Sequence, residues 1–181
     1  GECIEMETKW TTIDLLRHSR HDWLNKIQLI KGNLALGKMD RVSGLIEEII
    51  IDAKQEAKVS NLDMPCLAEL LLTGNWRHYT FELGFEIVDD IAGFAEQDRS
   101  LTGFVLEFFE ALNQQVTGSS VHTLFVMLSV SEEASLRIGF DFQGHVNSVE
   151  HLFDGLSVPD SIEMSAPSGD INSFFFELTV R

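Results

Sequence analysis

A histidine that lies off the apolar face of a predicted helix is the first candidate for chemistry in this sequence. His21 is followed directly by an acid, Asp22, and one helical turn later by an amide, Asn25. A structural histidine would lie on the apolar stripe, whereas helical spacing places His21 roughly 140° from its centre. Because a neutral imidazole has a free lone pair near neutral pH, the pattern predicts that a partner reacts with this ring at the surface.

The helix that carries His21 is predicted to run from about Thr12 to Leu36, with Gly37 suited to its C-terminal end. A second helix is predicted from Asp40 to about Ser60, and the short linker packs the two helices antiparallel as a hairpin. Since one hairpin buries little apolar surface, two are expected to pair as the four-helix bundle of a homodimer. The apolar stripe of the first helix recurs at helical spacing: Ile13, Leu16, Trp23, Ile27, Ile30 and Leu34.

The chain changes in character after residue 62, where predicted helices and strands begin to alternate. In chain order they are a helix from Cys66 to Trp76, a strand from Phe81 to Val88, a helix from Leu101 to Val116, strands from Val121 to Val130 and Leu136 to Phe142, and a strand from Phe174 to Val180. This pattern predicts helices over one face of a mainly antiparallel sheet. The predicted fold class is therefore α+β, with a helical hairpin in residues 1–62 and an α/β sandwich in residues 63–181.

The charge of the chain is strongly negative and unevenly distributed. The formal net charge is −16, which argues against nucleic acid as a partner because phosphate backbones require basic surfaces. The segment from Lys9 to Arg41 holds seven basic and three acidic residues, a net charge of +4 that leaves −20 for the rest. This asymmetry predicts that an acidic partner or an anionic group docks at the segment that holds His21. The alternative is an ordinary solvated helix face.

The location and the cysteines are also predicted from the sequence. No apolar run approaches the roughly 20 residues that span a bilayer and no signal peptide is evident, so we expect a cytoplasmic protein without a membrane partner. Cys3 and Cys66 are predicted to be free thiols in a reducing compartment. The histidines beyond the first helix lack the spacing of metal ligands, so no metal is predicted on this chain: His78, His122, His145 and His151.

The extended run around His21 carries a family resemblance. It reads His18-Ser19-Arg20-His21-Asp22-Trp23-Leu24-Asn25-Lys26 and continues Gln28-Leu29-Ile30-Lys31-Gly32-Asn33-Leu34. The run resembles the phosphoacceptor helix of the sporulation initiation phosphotransferase B family and is similar to the dimerisation helix of citrate-sensor type histidine kinases. The match is close over about residues 14–61 and looser in the C-terminal half.

The resemblance implies a phosphorelay function for the dimeric bundle. His21 is then expected to take a phosphoryl group from an aspartyl-phosphate of one response regulator and to pass it to an aspartate of a second, which controls sporulation initiation. Residues 1–62 become a dimerisation and phosphotransfer domain. Two other functions stay open: an ATP-dependent histidine kinase, and a non-catalytic dimer that docks response regulators.

Residues 63–181 resemble the ATP-binding domain of histidine kinases, in a degenerate form. Asn113 lies where those kinases have a magnesium-binding asparagine. Working kinases also need two glycine-containing loops, because a backbone approaches a nucleotide closely only where side chains are absent. The segment from Asp141 to His145 has one glycine where the first loop needs two. We therefore expect no cofactor on this chain, an ordinary helical role for Asn113, and Mg²⁺ only on the partner receiver domain.

Individual roles at the predicted site follow from the family match and from helical phase. Arg20 and Arg17 flank the reacting face and are expected to stabilise the phosphoryl charge, and Asn25 is expected to hydrogen-bond the ring or a phosphoryl oxygen. The roles of Asp22 and Lys26 stay open. Besides Arg17, the residues expected to contact the receiver are Leu24, Gln28 and Gly32.

Overall fold

The structure is a computed structural model that describes residues 10–118 and 121–181. The chain divides into two compact units, with the boundary between Ala57 and Lys58. The first unit is helical and the second contains the sheet, so the predicted α+β fold with a helical hairpin and an α/β layer is confirmed.

The first unit is an antiparallel pair of helices, α1 (Thr12–Ala35) and α2 (Met39–Ser60). Helix α1 begins with a capping box, in which the Thr11 side chain accepts the backbone N–H of Asp14 and the Asp14 carboxylate accepts the backbone N–H of Thr11. Gly37 ends the first helix with a φ of 67°, a conformation that glycine adopts without steric cost. Local sequence signals therefore fix both ends of α1.

The apolar stripes of the hairpin remain largely in solvent. No residue of α1 is buried, and α2 buries Val42, Leu45 and Val59. Apolar side chains of this size are usually removed from water in a folded protein. The exposed ones in the two helices are Ile13, Leu16, Trp23, Leu24, Ile27, Leu29, Leu34, Met39, Ile46, Ile50 and Ile51.

The second unit is one mixed sheet with helices on one side. Its helices are α3 (Pro65–Thr73), which continues as a 3-10 turn (Gly74–Trp76), α4 (Asp98–Gln115) and α5 (Val149–Phe153). Its strands are β1 (Glu82–Ile87), β2 (Thr123–Val130), β3 (Leu136–Gln143), β4 (Ile162–Met164), β5 (Ser168–Gly169) and β6 (Ser173–Val180). The sheet order is β1-β2-β3-β6-β4, with β5 paired to β6, and only the β1–β2 pair is parallel.

The core of this unit is aromatic and lies between α4 and the sheet. The rings of Phe140 and Phe176 stack with centroids 4.7 Å apart, and Phe108 of α4 meets Phe176 edge-on at 4.8 Å. All three side chains are fully buried. Edge-to-face and offset aromatic pairs stabilise a fold beyond the contribution of burying their apolar area. These pairs therefore stabilise the packing of α4 on the sheet.

A buried carboxylate joins α3 to α4. Asp98 accepts the backbone N–H groups of Cys66 and Leu67, both at 2.9 Å, and also the hydroxyl of Thr102 at 3.2 Å. The first N–H groups of a helix have no partner within it, so Asp98 supplies from α4 the cap that α3 lacks in its own sequence.

Cys66 departs from the prediction of a free thiol, because it is disulfide-bonded. It is buried at the start of α3. The number of cysteines and their distance along the chain carry no information about their distance in the fold, which is why the prediction was wrong for Cys66. Cys3 lies outside the described residues.

The free edge of β1 is closed by side chains. The Asn75 amide donates to the Leu83 carbonyl and accepts the Leu83 N–H, both at 2.8 Å. This pair of bonds reproduces what a neighbouring strand would supply to one residue. Lys58 donates to the carbonyl of Ile87 at 2.8 Å, near the other end of the same strand.

Candidate functional site

The structure places His21 in α1 with 72% of its side chain exposed. The residues one turn away along the same helix face are Arg17 and Asn25. This is the solvent-facing position that helical phase predicts, and it leaves the ring accessible to a macromolecular partner. His18 is different: its ring meets the Trp10 ring edge-on with centroids 4.5 Å apart, so it is packed against a neighbour.

Two polar groups approach the same nitrogen of His21. The Asn25 amide nitrogen lies 3.3 Å from Nδ1, and the Asp22 carboxylate lies 3.6 Å from Nδ1. A carboxylate at that distance favours the tautomer with hydrogen on Nδ1. The Asn25 amide fits this tautomer when its oxygen faces the ring, an orientation reached by a simple flip. Nε2 then keeps the lone pair, and no hydrogen bond from the described residues reaches it.

Of the two arginines, Arg17 shares the His21 face. Its guanidinium lies 3.0 Å from the Asp14 carboxylate, the same acid that completes the capping box. The hydrogen bonds from Thr11, and next the positive charge of Arg17, lower the pKa of Asp14 below its ordinary value. Asp14 lies on the His21 side by helical phase, but its capping role was not predicted, although the Thr-x-x-Asp pattern is a visible capping signal.

Arg20 is exposed and forms no ion pair within the described residues. Helical spacing turns it about 100° from His21, towards the apolar stripe. The structure therefore places Arg17 on the His21 face, whereas Arg20 lies off that face, on the side of the apolar stripe.

Lys26 points away from His21 and joins the two helices. Its ammonium group lies 3.2 Å from the Asp52 carboxylate of α2 and 5.8 Å from the centroid of the Trp23 ring. A cation held by a carboxylate and an aromatic face is fixed within the hairpin. The structure thus gives Lys26 contacts inside the hairpin and none with the imidazole.

The face of α1 that carries His21 continues towards the C-terminal end of the helix as an accessible surface. Leu24 is 50% exposed, and Gln28 is also exposed. Gly32 has open space where a side chain would start. These three residues follow His21 at helical spacing, so they form one accessible strip on α1.

In the second unit, the helix face that carries Asn113 is occupied by the chain itself. The Asn113 side-chain oxygen accepts the N–H of Thr80 at 2.8 Å and its hydroxyl at 3.0 Å. Next to it, Tyr79 donates to Glu110 at 3.1 Å, and burial, followed by the Glu110 charge, raises the pKa of this phenol. Asn113 therefore has a structural task in the turn before β1.

The segment from Asp141 to His145, which the family resemblance matches to the first glycine loop of the kinases, is also closely packed. A side chain at Gly144 would collide with His122 and Phe142. The backbone N–H of His145 donates to Nδ1 of the buried His122 at 3.2 Å. Among residues 10–118 and 121–181, no group of three acidic, histidine or cysteine side chains is placed to hold a metal ion.

Family comparisons agree with the division into two units. Residues 5–62 match the sensor kinase SpoOB-type, alpha-helical domain, and residues 63–166 match the C-terminal domain of sporulation initiation phosphotransferase B. The hairpin is thus similar to the alpha-helical domain of the SpoOB-type class. The sporulation initiation phosphotransferase B of Bacillus subtilis (strain 168) is 44% identical over 168 residues, which cover 92% of this chain and 83% of that protein. The chain belongs to the sporulation initiation phosphotransferase B family.

Two solved structures of a blue-light activated histidine kinase from Erythrobacter litoralis also resemble the chain. Its histidine kinase domain has a TM-score of 0.44 and 11% identity over 62% of this chain. A second structure of that kinase has a TM-score of 0.46 and 12% identity over 95% of this chain. The match spans 60% of each kinase chain. None of the helices in the described parts of the present chain is long and apolar enough to cross a membrane.

Proposed function

We propose that this chain is a phosphotransferase of the phosphorelay that initiates sporulation, and that His21 is its phosphoacceptor. Membership of the sporulation initiation phosphotransferase B family supports the reaction class. The observation that carries the residue assignment is the exposed imidazole whose Nδ1 lies near two polar groups, while no described residue hydrogen-bonds its Nε2.

The transfer is a displacement at phosphorus that needs no net proton movement. The Nε2 lone pair attacks the aspartyl-phosphate of the first response regulator. The N–P bond forms as the P–O bond to that aspartate breaks, and the carboxylate leaves with the electron pair. The second transfer reverses these roles, with an aspartate of the second regulator as nucleophile and the imidazole as leaving group. Positioning and charge stabilisation are the main demands on the protein.

Asp22 and Asn25 act through the hydrogen atom on Nδ1 of His21. Asp22 favours the tautomer that leaves Nε2 unprotonated, and the amide of Asn25 fixes the ring plane. Arg17 lies on the same face and neutralises phosphoryl charge when it exchanges its Asp14 contact for the incoming group. Arg20 contributes its charge from the side of the helix. Magnesium belongs to the acidic pocket of the receiver.

The accessible strip beyond His21 is the proposed seat of the receiver. Leu24 provides apolar contact, Gln28 provides hydrogen bonds, and Gly32 lets a second backbone approach. The strip adjoins the acceptor on one rigid helix, which holds the partner and the reacting nitrogen in a constant geometry.

Two copies of the chain pair through the hairpin in this proposal. The support is that no residue of α1 is fully buried, together with the apolar side chains exposed on both helices. Removing one leucine or isoleucine side chain from water contributes about 1.5–3 kcal/mol. Several such residues on each copy make a four-helix bundle a stable arrangement.

The second unit acts without a nucleotide in this proposal. The support is that Thr80 already holds the Asn113 oxygen and that His122 and Phe142 occupy the space over Gly144. ATP binding by a kinase would require both features to rearrange. Phosphoryl transfer between receivers requires neither to change.

The test is transfer from a purified receiver carrying a radioactive phosphoryl group, followed by peptide mapping of the label. We expect acid-labile, base-stable label on the peptide that holds His21. Label on another histidine would contradict the assignment. Receiver binding without any label would favour the docking module, and label from ATP in the absence of a receiver would favour the kinase.

A further inference from the structure

The sheet of the second unit has one face covered by helices and one face open. Phe108 of α4 and Phe153 of α5 pack on the covered side against Phe140 and Phe176. Residues with the opposite orientation face solvent, and such a face is normally polar in an antiparallel sheet. Here three large apolar side chains lie on it: Phe125 is 43% exposed, Met127 41% and Phe175 39%.

The strand register makes these side chains neighbours. Phe125 on β2 pairs with Asp141 on β3, and Asp141 pairs with Phe175 on β6. Met127 pairs with Gly139. The three apolar residues therefore form one patch with a carboxylate in the middle of it.

Glycines form the floor of the patch. A Cβ atom at Gly84 would lie 2.9 Å from the Phe125 ring, and one at Gly139 would lie 3.1 Å from the Phe175 ring. Each ring is thus seated directly on the backbone of an adjacent strand. The two rings stand on either side of Asp141, so the patch presents exposed aromatic faces next to a carboxylate.

The patch is bordered by acidic residues that form no ion pair within the described residues. Glu82 and Glu86 lie on the same face of β1, opposite Thr123 and Met127, and neither they nor Asp141 form an ion pair within the described residues. The nearby Arg137 is already held by Glu177, with bonds of 3.0 and 2.7 Å.

The charge of the whole unit has the same sign. Residues 58–181 contain five lysines and arginines against nineteen aspartates and glutamates. A surface of this sign attracts cationic partners and repels a second copy of itself.

We propose that this acidic sheet face, formed by Phe125, Met127, Phe175, Glu82, Glu86 and Asp141, docks a partner protein through an amphipathic segment rich in lysine or arginine. Apolar side chains of that segment pack against the exposed side chains of Phe125, Met127 and Phe175. Its cations pair with the carboxylates of Glu82, Glu86 and Asp141 and lie on the aromatic faces. The site is separate from the His21 chemistry and does not depend on it.

The experiment titrates a synthetic amphipathic helical peptide of leucine and lysine into the full-length chain at physiological salt. The matched peptide carries glutamate at every lysine position. Binding is followed by calorimetry and by amide hydrogen exchange. We expect the lysine peptide to bind and to protect amides of β2, β3 and β6, whereas the glutamate peptide does not bind.

Variants separate this patch from general charge attraction. The double change Phe125→Ser and Phe175→Ser is expected to weaken binding about tenfold or more, and Asp141→Asn several-fold. Val121→Ser is the control, because Val121 is an exposed apolar residue of the same unit outside the patch. If the double variant melts early, Met127→Gln replaces it, with the same expected direction.

Two outcomes would overturn the proposal. Equal binding by wild type and the patch variants would mean that net charge alone attracts the peptide. A wild-type dimer that dissociates on Phe175→Ser would mean that a second copy covers this face.

Discussion

At His21, the position of a single hydrogen decides which nitrogen can react. Asp22 and Asn25 both face Nδ1, within one turn of the same helix. An isolated imidazole exchanges freely between its two neutral tautomers, so a fixed carboxylate biases that equilibrium. In the proposed transfer, the reactivity of Nε2 therefore depends on the two side chains next to Nδ1.

Replacing His21 with alanine is expected to abolish phosphoryl transfer and to leave the fold intact, because the side chain is exposed and buries no core group. Transfer from a phosphorylated receiver measures the first effect, and circular dichroism the second. His18→Ala is the control and should keep most activity, since that ring packs on Trp10. Full labelling of the His21 variant would refute the assignment.

Asp22→Asn is expected to slow transfer several-fold without preventing receiver binding, because the bias towards the Nδ1-protonated tautomer is lost. Nitrogen NMR of the imidazole should show more hydrogen on Nε2 in the variant. Asp22→Glu keeps the carboxylate and should recover part of the rate. An unchanged tautomer population in Asp22→Asn would remove this role from Asp22.

At the scale of the elements, the hairpin is the part that sequence alone predicts best. Both helices exceed twenty residues, so their apolar period is repeated many times. Strands β4 and β5, with three and two residues, went unpredicted because they are too short to show an alternating pattern. The exposed position of His21 could be predicted from helical phase. The hydrogen bonds between Asn75 and Leu83 could not, because they depend on how the chain folds back before β1.

The capping box at the start of α1 is expected to make the helix sensitive to acid. The Asp14 pKa is lowered in the fold, so its carboxylate stabilises α1 above the ordinary carboxyl pKa of about 3.9. That contribution is lost as the pH falls through the lowered value. Thr11→Val removes the leading cause of the shift, and carboxyl NMR titration should then show the Asp14 pKa moving up. No change in the titration would contradict the capping box.

A charge in the apolar stripe of α1 is expected to separate the proposed dimer. Ile27 is half exposed within one chain, and an aspartate there would be buried without a partner between two copies. Ile27→Asp should therefore give a monomer in sedimentation at micromolar concentration. Gln28→Asp is the matched control, because the same charge off the stripe should leave the dimer intact. A monomeric wild type would refute the pairing.

At the scale of the whole molecule, charge is distributed unevenly along the chain. The basic excess from Lys9 to Arg41 surrounds the candidate acceptor, and the sheet unit is strongly acidic. Exposed charges act over roughly 8–10 Å at physiological salt, which affects how fast a partner arrives more than how long it stays. If the proposed receiver is acidic around its phosphorylation site, the basic segment attracts it and the sheet unit repels it.

Reversing Arg17 and Arg20 to glutamate is expected to slow receiver association several-fold at low salt, with a smaller effect at high salt. Stopped-flow mixing over a range of salt concentrations measures this dependence. Arg41→Glu is the control for net charge, because Arg41 lies on α2 near Glu48 at 3.7 Å. Equal rates in wild type and the double variant would mean that these arginines do not guide the encounter.

The amide of Asn75 also limits how copies of the chain can assemble. An exposed edge strand invites the strand of another molecule, and continued pairing of this kind leads to fibres. In β1, the backbone groups of Leu83 are occupied, and so is the carbonyl of Ile87. A strand that approaches this edge must first break those bonds. Growth by edge-to-edge pairing is thus opposed at β1, while the helices remain available for a closed pair.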